Sequence, residues 1–223
     1  MAVFIMKTSY HSVHCETRTR FVDKRTTWIR AGRIAIRFVE SKKPLDAWNP
    51  PRKVIELIEE RKLNNMRIYI ESTIPSYVVA GPARDLLQAA RQQLTKDWWE
   101  LKRANHELFT SQIVLDEITS GETAMARQRL DVMEGITLLD LTDEANSLTK
   151  DILSSGLLPA DADRDAAHIA LATVHEMDIL LSWNCRHIAN AAIQSRLREL
   201  AKKSGLTLPE LCTLDELTGE LYE

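Results

Sequence analysis

From Met66 onward the chain alternates short apolar runs with longer amphipathic stretches, and this alternation narrows the fold more than any other feature. Residues 68–71, 136–139 and 178–182 read as strands, and 107–110 as a short strand or lead-in. Within the run at 178–182, residues 179–181 are continuously apolar, as expected when both faces of a strand are covered. Helical spacing occupies 83–105, 113–120, 123–133, 143–155, 161–175 and 187–203, and several of these stretches stop at a glycine. A short last helix spans 214–219, with Thr213 as its N-cap. Short strands separated by helices predict an α/β sandwich around a mainly parallel sheet. In such sheets ligands bind outside the carboxyl ends of the strands.

Residues 1–65 are different. They carry a charge balance of +7, against −10 for residues 66–223, within a net charge of −3. A split of this kind marks two segments with different roles or origins. In the first segment only 33–39 alternates like a strand, and 53–62 has helical spacing. One strand and one short helix bury no core, so an irregular N-terminal extension is expected. Two readings stay open: a segment disordered or not natively translated, with Met66 as an internal start, or a basic arm that touches RNA or a partner. The predicted division is 1–65 and 66–223.

Cys15, Cys185 and Cys212 are too few and too far apart for a disulfide framework. A reducing cytoplasm is the expected compartment. No apolar run reaches the ~18 residues of a membrane span.

Four polar signatures lie at the ends of the predicted elements. They are Arg67-Ile-Tyr-Ile-Glu-Ser-Thr73, Ser111-Gln-Ile-Val-Leu-Asp-Glu117, Asp163-Arg-Asp-Ala-Ala-His-Ile-Ala170 and Asp178-Ile-Leu-Leu-Ser-Trp-Asn184. Brought together, Glu71, Glu117, Asp165 and Asn184 would make an oxygen-rich pocket of the sort a hard divalent cation takes. A cation with open positions activates water against a phosphodiester. Taken singly, each has a plainer reading. Glu71 could be a solvent-facing strand end. Glu117 could sit on a solvated helix face, with Asp116 as its neighbour about 100° round the helix. Asp161, Asp163 and Asp165 could simply complement a helix dipole. Asn184 could be a turn residue, and His168 reads as a packed helix residue rather than a ligand. Trp98 and Trp99 read as core or dimer surface.

Here the blocks become specific. Ile68-Tyr-Ile-Glu-Ser-Thr-Ile-Pro-Ser-Tyr77, Leu94-Thr-Lys-Asp-Trp-Trp99, Leu108-Phe-Thr-Ser-Gln-Ile-Val-Leu-Asp-Glu117, Asp165-Ala-Ala-His-Ile-Ala170, Leu180-Leu-Ser-Trp-Asn-Cys-Arg-His-Ile-Ala-Asn190 and Cys212-Thr-Leu-Asp-Glu-Leu217 occur in this order. Together they resemble the PIN-domain family, and within it the VapC-like ribonuclease toxins of type II toxin–antitoxin systems. The resemblance spans about residues 66–220. It implies a three-layer α/β/α sandwich and an endoribonuclease that uses Mg²⁺ or Mn²⁺. It implies an RNA substrate, a cognate antitoxin protein and a homodimer. By motif, Glu71, Glu117, Asp165 and Asn184 take the four catalytic positions. Glu71, Glu117 and Asp165 are the metal ligands, and Ser72 and Thr73 orient the first of them. Arg84, Arg91, Arg186 and His187 are candidate RNA contacts. Glu71 stands where the family commonly has Asp, and Asn184 where it usually has an acid. The lost charge implies one metal, or a weakly held second one. A PIN-like module that binds RNA or a partner with little turnover is the alternative.

Overall fold

The computed structural model describes residues 20–23, 26–31, 34–39 and 65–218. The chain divides into two compact units, Met1–Leu57 and Ile58–Glu223. In the first, strands β1 (Arg20–Asp23), β2 (Thr26–Ala31) and β3 (Ile34–Val39) form an antiparallel sheet in that order. The sequence pattern revealed only the third of them. The helical spacing at 53–62 lies outside the described residues.

The second unit holds a five-stranded sheet in which every pairing is parallel. Its strands are β4 (Arg67–Ile70), β5 (Glu107–Ser111), β6 (Thr137–Leu139), β7 (Ile179–Leu181) and β8 (Glu210–Cys212). Their spatial order is β6-β5-β4-β7-β8. The chain winds outward from β4 through β5 to β6, then returns to place β7 on the other side of β4. The order therefore reverses between β4 and β7, which opens a crevice at their carboxyl ends. Glu71 follows β4 directly, and Ser182, Trp183 and Asn184 follow β7.

Successive strand residues face opposite sides of a sheet. Ile68, Tyr69 and Ile70 are nevertheless all fully buried, as are Leu180 and Leu181. Both faces of the central strands are thus covered, which is the expected three-layer arrangement. The helices are α1 (Thr73–Val79), α2 (Leu86–Leu101), α3 (Gln112–Ile118), α4 (Thr123–Met133), α5 (Asp143–Ser154), α6 (Asp163–Val174), α7 (Ala191–Lys203) and α8 (Leu214–Leu217). Helix α6 is the most deeply set. All eight residues from Ala166 to Thr173 are buried, because its alanines let the backbone come close to its neighbours.

Several boundaries differ from the sequence reading for local reasons. The stretch at 83–105 begins later as α2, because the Asp85 side chain accepts from Gln88 N and caps it there. The stretch at 187–203 begins at Ala191, because Asn190 accepts from Ala192 N. Helix α1 and strand β8, three to seven residues long, carry too little periodicity to be read. Trp98 and Trp99 are 2% and 5% exposed and belong to the core. Thr213 caps α8 through a reciprocal box with Glu216.

Candidate functional site

Glu71 lies in the crevice between β4 and β7 and is only 3% exposed. A buried carboxylate needs donors, and four surround it. The Ser72 hydroxyl donates to Oε1 at 2.7 Å. The Thr73 amide and hydroxyl donate to Oε2 at 3.0 and 2.5 Å, and the Ser182 hydroxyl donates to Oε2 at 2.8 Å. Two of these hydroxyls also tie in the end of β7. Thr73 Oγ1 accepts from Trp183 N at 2.8 Å, and Ser182 Oγ accepts from Asn184 N at 2.9 Å. Glu71 is therefore set at the junction of the two strands by donors from both.

Glu117 reaches the same place from α3. Its oxygens, with those of Glu71 and a ring nitrogen of His168, include three potential ligand atoms within 4.8 Å of one another. His168 Nε2 lies 3.1 Å from Glu117 Oε2, and Arg164 Nη1 lies 3.8 Å from Oε1. Burial alone would push the Glu117 carboxyl up. The hydrogen bond and charge of His168, the Ser72 hydroxyl and the Arg164 guanidinium outweigh it and hold Glu117 below the ordinary glutamate range. Asp116 is exposed and accepts from Gln112 Nε2 instead.

Behind His168 runs a buried chain of hydroxyls. Its Nδ1 is 2.8 Å from Tyr69 Oη, which is 2.6 Å from Ser111 Oγ. Burial pushes the Tyr69 phenol well above its usual range, so it keeps its proton.

Asp165 and Asn184 form a second group with His187. Asp165 Oδ1 accepts from Asn184 Nδ2 at 2.9 Å, and Oδ2 is 2.7 Å from His187 Nδ1. Asn184 Oδ1 accepts from His187 N at 3.1 Å, so both ends of the Asn184 amide are engaged. The two groups are joined through the Asn184 N–H···Ser182 Oγ–H···Glu71 path. Asp165 and His168 are three apart on α6, which puts them on neighbouring positions of one helix face.

The proposed RNA contacts fall in different settings. Arg84 is exposed ahead of the α2 cap, and Arg186 is exposed in the turn after Asn184. His187 is half-buried on Asp165. The Arg91 guanidinium lies 5.1 Å from the centre of the Trp183 ring. That ring stacks on Tyr77 at 5.8 Å and donates its Nε1–H to Thr95 at 2.9 Å. Arg91 is thus part of the wall that carries Trp183.

Sequence reasoning singled out neither Ser182 nor Tyr69. Each had a signal. Ser182 is a small polar residue straight after a fully apolar strand, and Tyr69 is a phenol between two isoleucines in a strand buried on both faces. A buried Tyr hydroxyl requires a partner.

The donor set suits a hard divalent cation. Glu71 Oε1 accepts from the Ser72 hydroxyl, and Glu117 Oε1 lies 3.8 Å from the exposed Arg164 guanidinium. Among the described residues no helix is long and apolar enough to cross a membrane.

No family model matches the chain, and no curated protein does. Among solved structures, a chain in the crystal structure of VapBC2 from Rickettsia felis bound to a DNA fragment from their promoter is similar at 15% identity, with a TM-score of 0.39. The alignment covers 66% of this chain and 97% of that one.

Proposed function

We propose that this chain is a metal-dependent endoribonuclease, the toxin component of a toxin–antitoxin pair. In this reading it acts in the cytoplasm as a homodimer and is restrained by an antitoxin protein. The observation that carries the proposal is the convergence of the Glu71 and Glu117 carboxylates at the point where the sheet order reverses. Mg²⁺ or Mn²⁺, when bound there, supplies Lewis acidity toward water and a phosphate oxygen. Glu71 and Glu117 hold the cation, and Ser72, Thr73 and Ser182 fix the first of these carboxylates. Asp165 completes the ligand set or takes a proton from the attacking water at Oδ2, the oxygen it shares with His187. Asn184 holds the other Asp165 oxygen in place. Arg84, Arg91, Arg186 and His187 contact the RNA.

One observation favours a second reading, a PIN-like module that binds RNA or a partner with little turnover. Both oxygens of Asp165 are already engaged, by Asn184 and His187. Cleavage of a mixed RNA pool by the full chain, with Mn²⁺ or with EDTA, separates the two. Metal-dependent cleavage that is lost in a Glu71→Gln/Asp165→Asn protein supports the nuclease. RNA binding without cleavage by folded protein supports the module.

A further inference from the structure

Ser111, Tyr69 and His168 make a polar chain through the middle of the core. Their exposures are 1%, 0% and 0%. Polar groups buried this deeply are costly unless each is bonded, and here each one is. Among the described residues this chain leads out through His168 Nε2, which lies 3.1 Å from Glu117 Oε2.

His168 could serve the pocket in two ways, as a ligand or as a holder of Glu117, and the protons decide between them. A glutamate at neutral pH is ionised and only accepts hydrogen bonds. The contact with Glu117 therefore needs the proton on Nε2. A protonated ring nitrogen has no lone pair for a cation. The other nitrogen, Nδ1, faces Tyr69 Oη at 2.8 Å. In the neutral ring the donors run one way: Ser111 O–H to Tyr69, Tyr69 O–H to Nδ1, Nε2–H to Glu117. In the charged ring the Tyr69 and Ser111 bonds reverse, but Nε2 still carries its proton. Neither arrangement leaves a ring nitrogen for metal.

We propose that His168 is a positioning residue rather than a ligand: backed by Tyr69 and Ser111, its Nε2–H fixes Glu117 Oε2 and turns Oε1 toward the cation and substrate. This rests on the metal-dependent nuclease reading given above. Orienting partners of this kind change metal affinity or activity by about 10–100-fold when removed. Glutamine carries an amide N–H near the place of Nε2, whereas leucine fills the space without a donor.

The test uses the full chain with Mn²⁺ as the probe. Mn²⁺ affinity and RNA cleavage are measured for the wild type, His168→Gln, His168→Leu and Tyr69→Phe, with circular dichroism as the check of folding. Pulsed EPR on the bound Mn²⁺ reads any directly bonded imidazole nitrogen. The expected result is no nitrogen coupling in the wild type and a His168→Gln protein within about threefold of it. His168→Leu should fall by about 10–100-fold in affinity or rate. Tyr69→Phe, which removes one oxygen, should lose less and covers the case in which His168→Leu does not fold. Nitrogen coupling that disappears in His168→Leu overturns the proposal, because His168 is then a ligand. Folded His168→Leu or Tyr69→Phe proteins that bind and cleave like the wild type overturn it while leaving the nuclease reading intact. A wild type that neither binds Mn²⁺ nor cleaves overturns both readings together.

Discussion

Glu71 has more hydrogen-bond donors than any other carboxylate in the site: three come from its own turn at the end of β4, and the fourth, Ser182, comes from the end of β7. Ser182 joins the two ends, since it donates to Glu71 and accepts from Asn184 N. Hydrogen bonds to charged groups are worth about 1.5–3 kcal/mol. Ser182→Ala should therefore lower stability by about that much in chemical denaturation, and should weaken Mn²⁺ binding as Glu71 loosens. Glu71→Gln keeps the size but turns an amide N–H₂ toward a ring of donors, so it should abolish Mn²⁺ binding in calorimetry and cleavage with it. His106 makes a prediction of a different kind. It stacks on Trp98 with ring centres 5.9 Å apart, and burial pushes its pKa below the ordinary value of 6.5. The folded state then binds fewer protons than the unfolded state around that value. Its contribution to stability is fully present above about pH 6.5 and declines as the pH falls from there toward the folded pKa. Melting temperatures taken from pH 7.5 down to 5.5 should fall less steeply in His106→Phe.

The elements show why some of this was legible beforehand and some was not. Strand β7 was plain because three consecutive apolar residues, all buried, leave no face for water. Helix α6 was plain because its alanines and acidic first turn mark both its packing and its start. Glu71 and Asn184 were placed at strand ends by the same logic. The pairing within the site was not legible. Asp165 and Asn184 bond each other, and Glu117 meets His168, through contacts 19 and 51 residues apart that no local pattern encodes. The end of α6 was unreadable in another way. Glycine closes several other turns here with positive φ, yet after α6 the left-handed position is held by Glu176, at φ 53°. The left-handed conformation costs a non-glycine residue about 1–2 kcal/mol, partly offset by the entropy glycine loses on folding. The Glu176 carbonyl accepts from Arg67, a bond that glycine keeps. Glu176→Gly should raise stability by roughly 0.5–1 kcal/mol, measured as a higher denaturant midpoint with an unchanged slope.

At the scale of the whole molecule the issue is how a body with a charge balance of −10 would hold a polyanion. Without a cation its carboxylates at the crevice would repel phosphate, and Arg91 lies on Trp183 within the wall. Residues 1–65, with a balance of +7, supply the opposite charge within the same chain. Binding through Lys and Arg releases counterions, so the logarithm of affinity falls with the logarithm of salt by about 0.7 per phosphate contact on single strands. If half of the basic excess in that segment engages RNA, the full chain should show a slope about 2–3 steeper than a chain that begins at Met66. The effect should appear in affinity and in KM, both weakening at low salt when the segment is removed. The rate of cutting bound RNA with saturating Mn²⁺ should stay the same, because Glu71, Glu117 and Asp165 all lie in the remainder. Filter binding and single-turnover cleavage across a salt series read the two quantities separately. Equal slopes for the two chains would show that the basic segment does not hold RNA, and would move that work to Arg84, Arg186 and the bound metal.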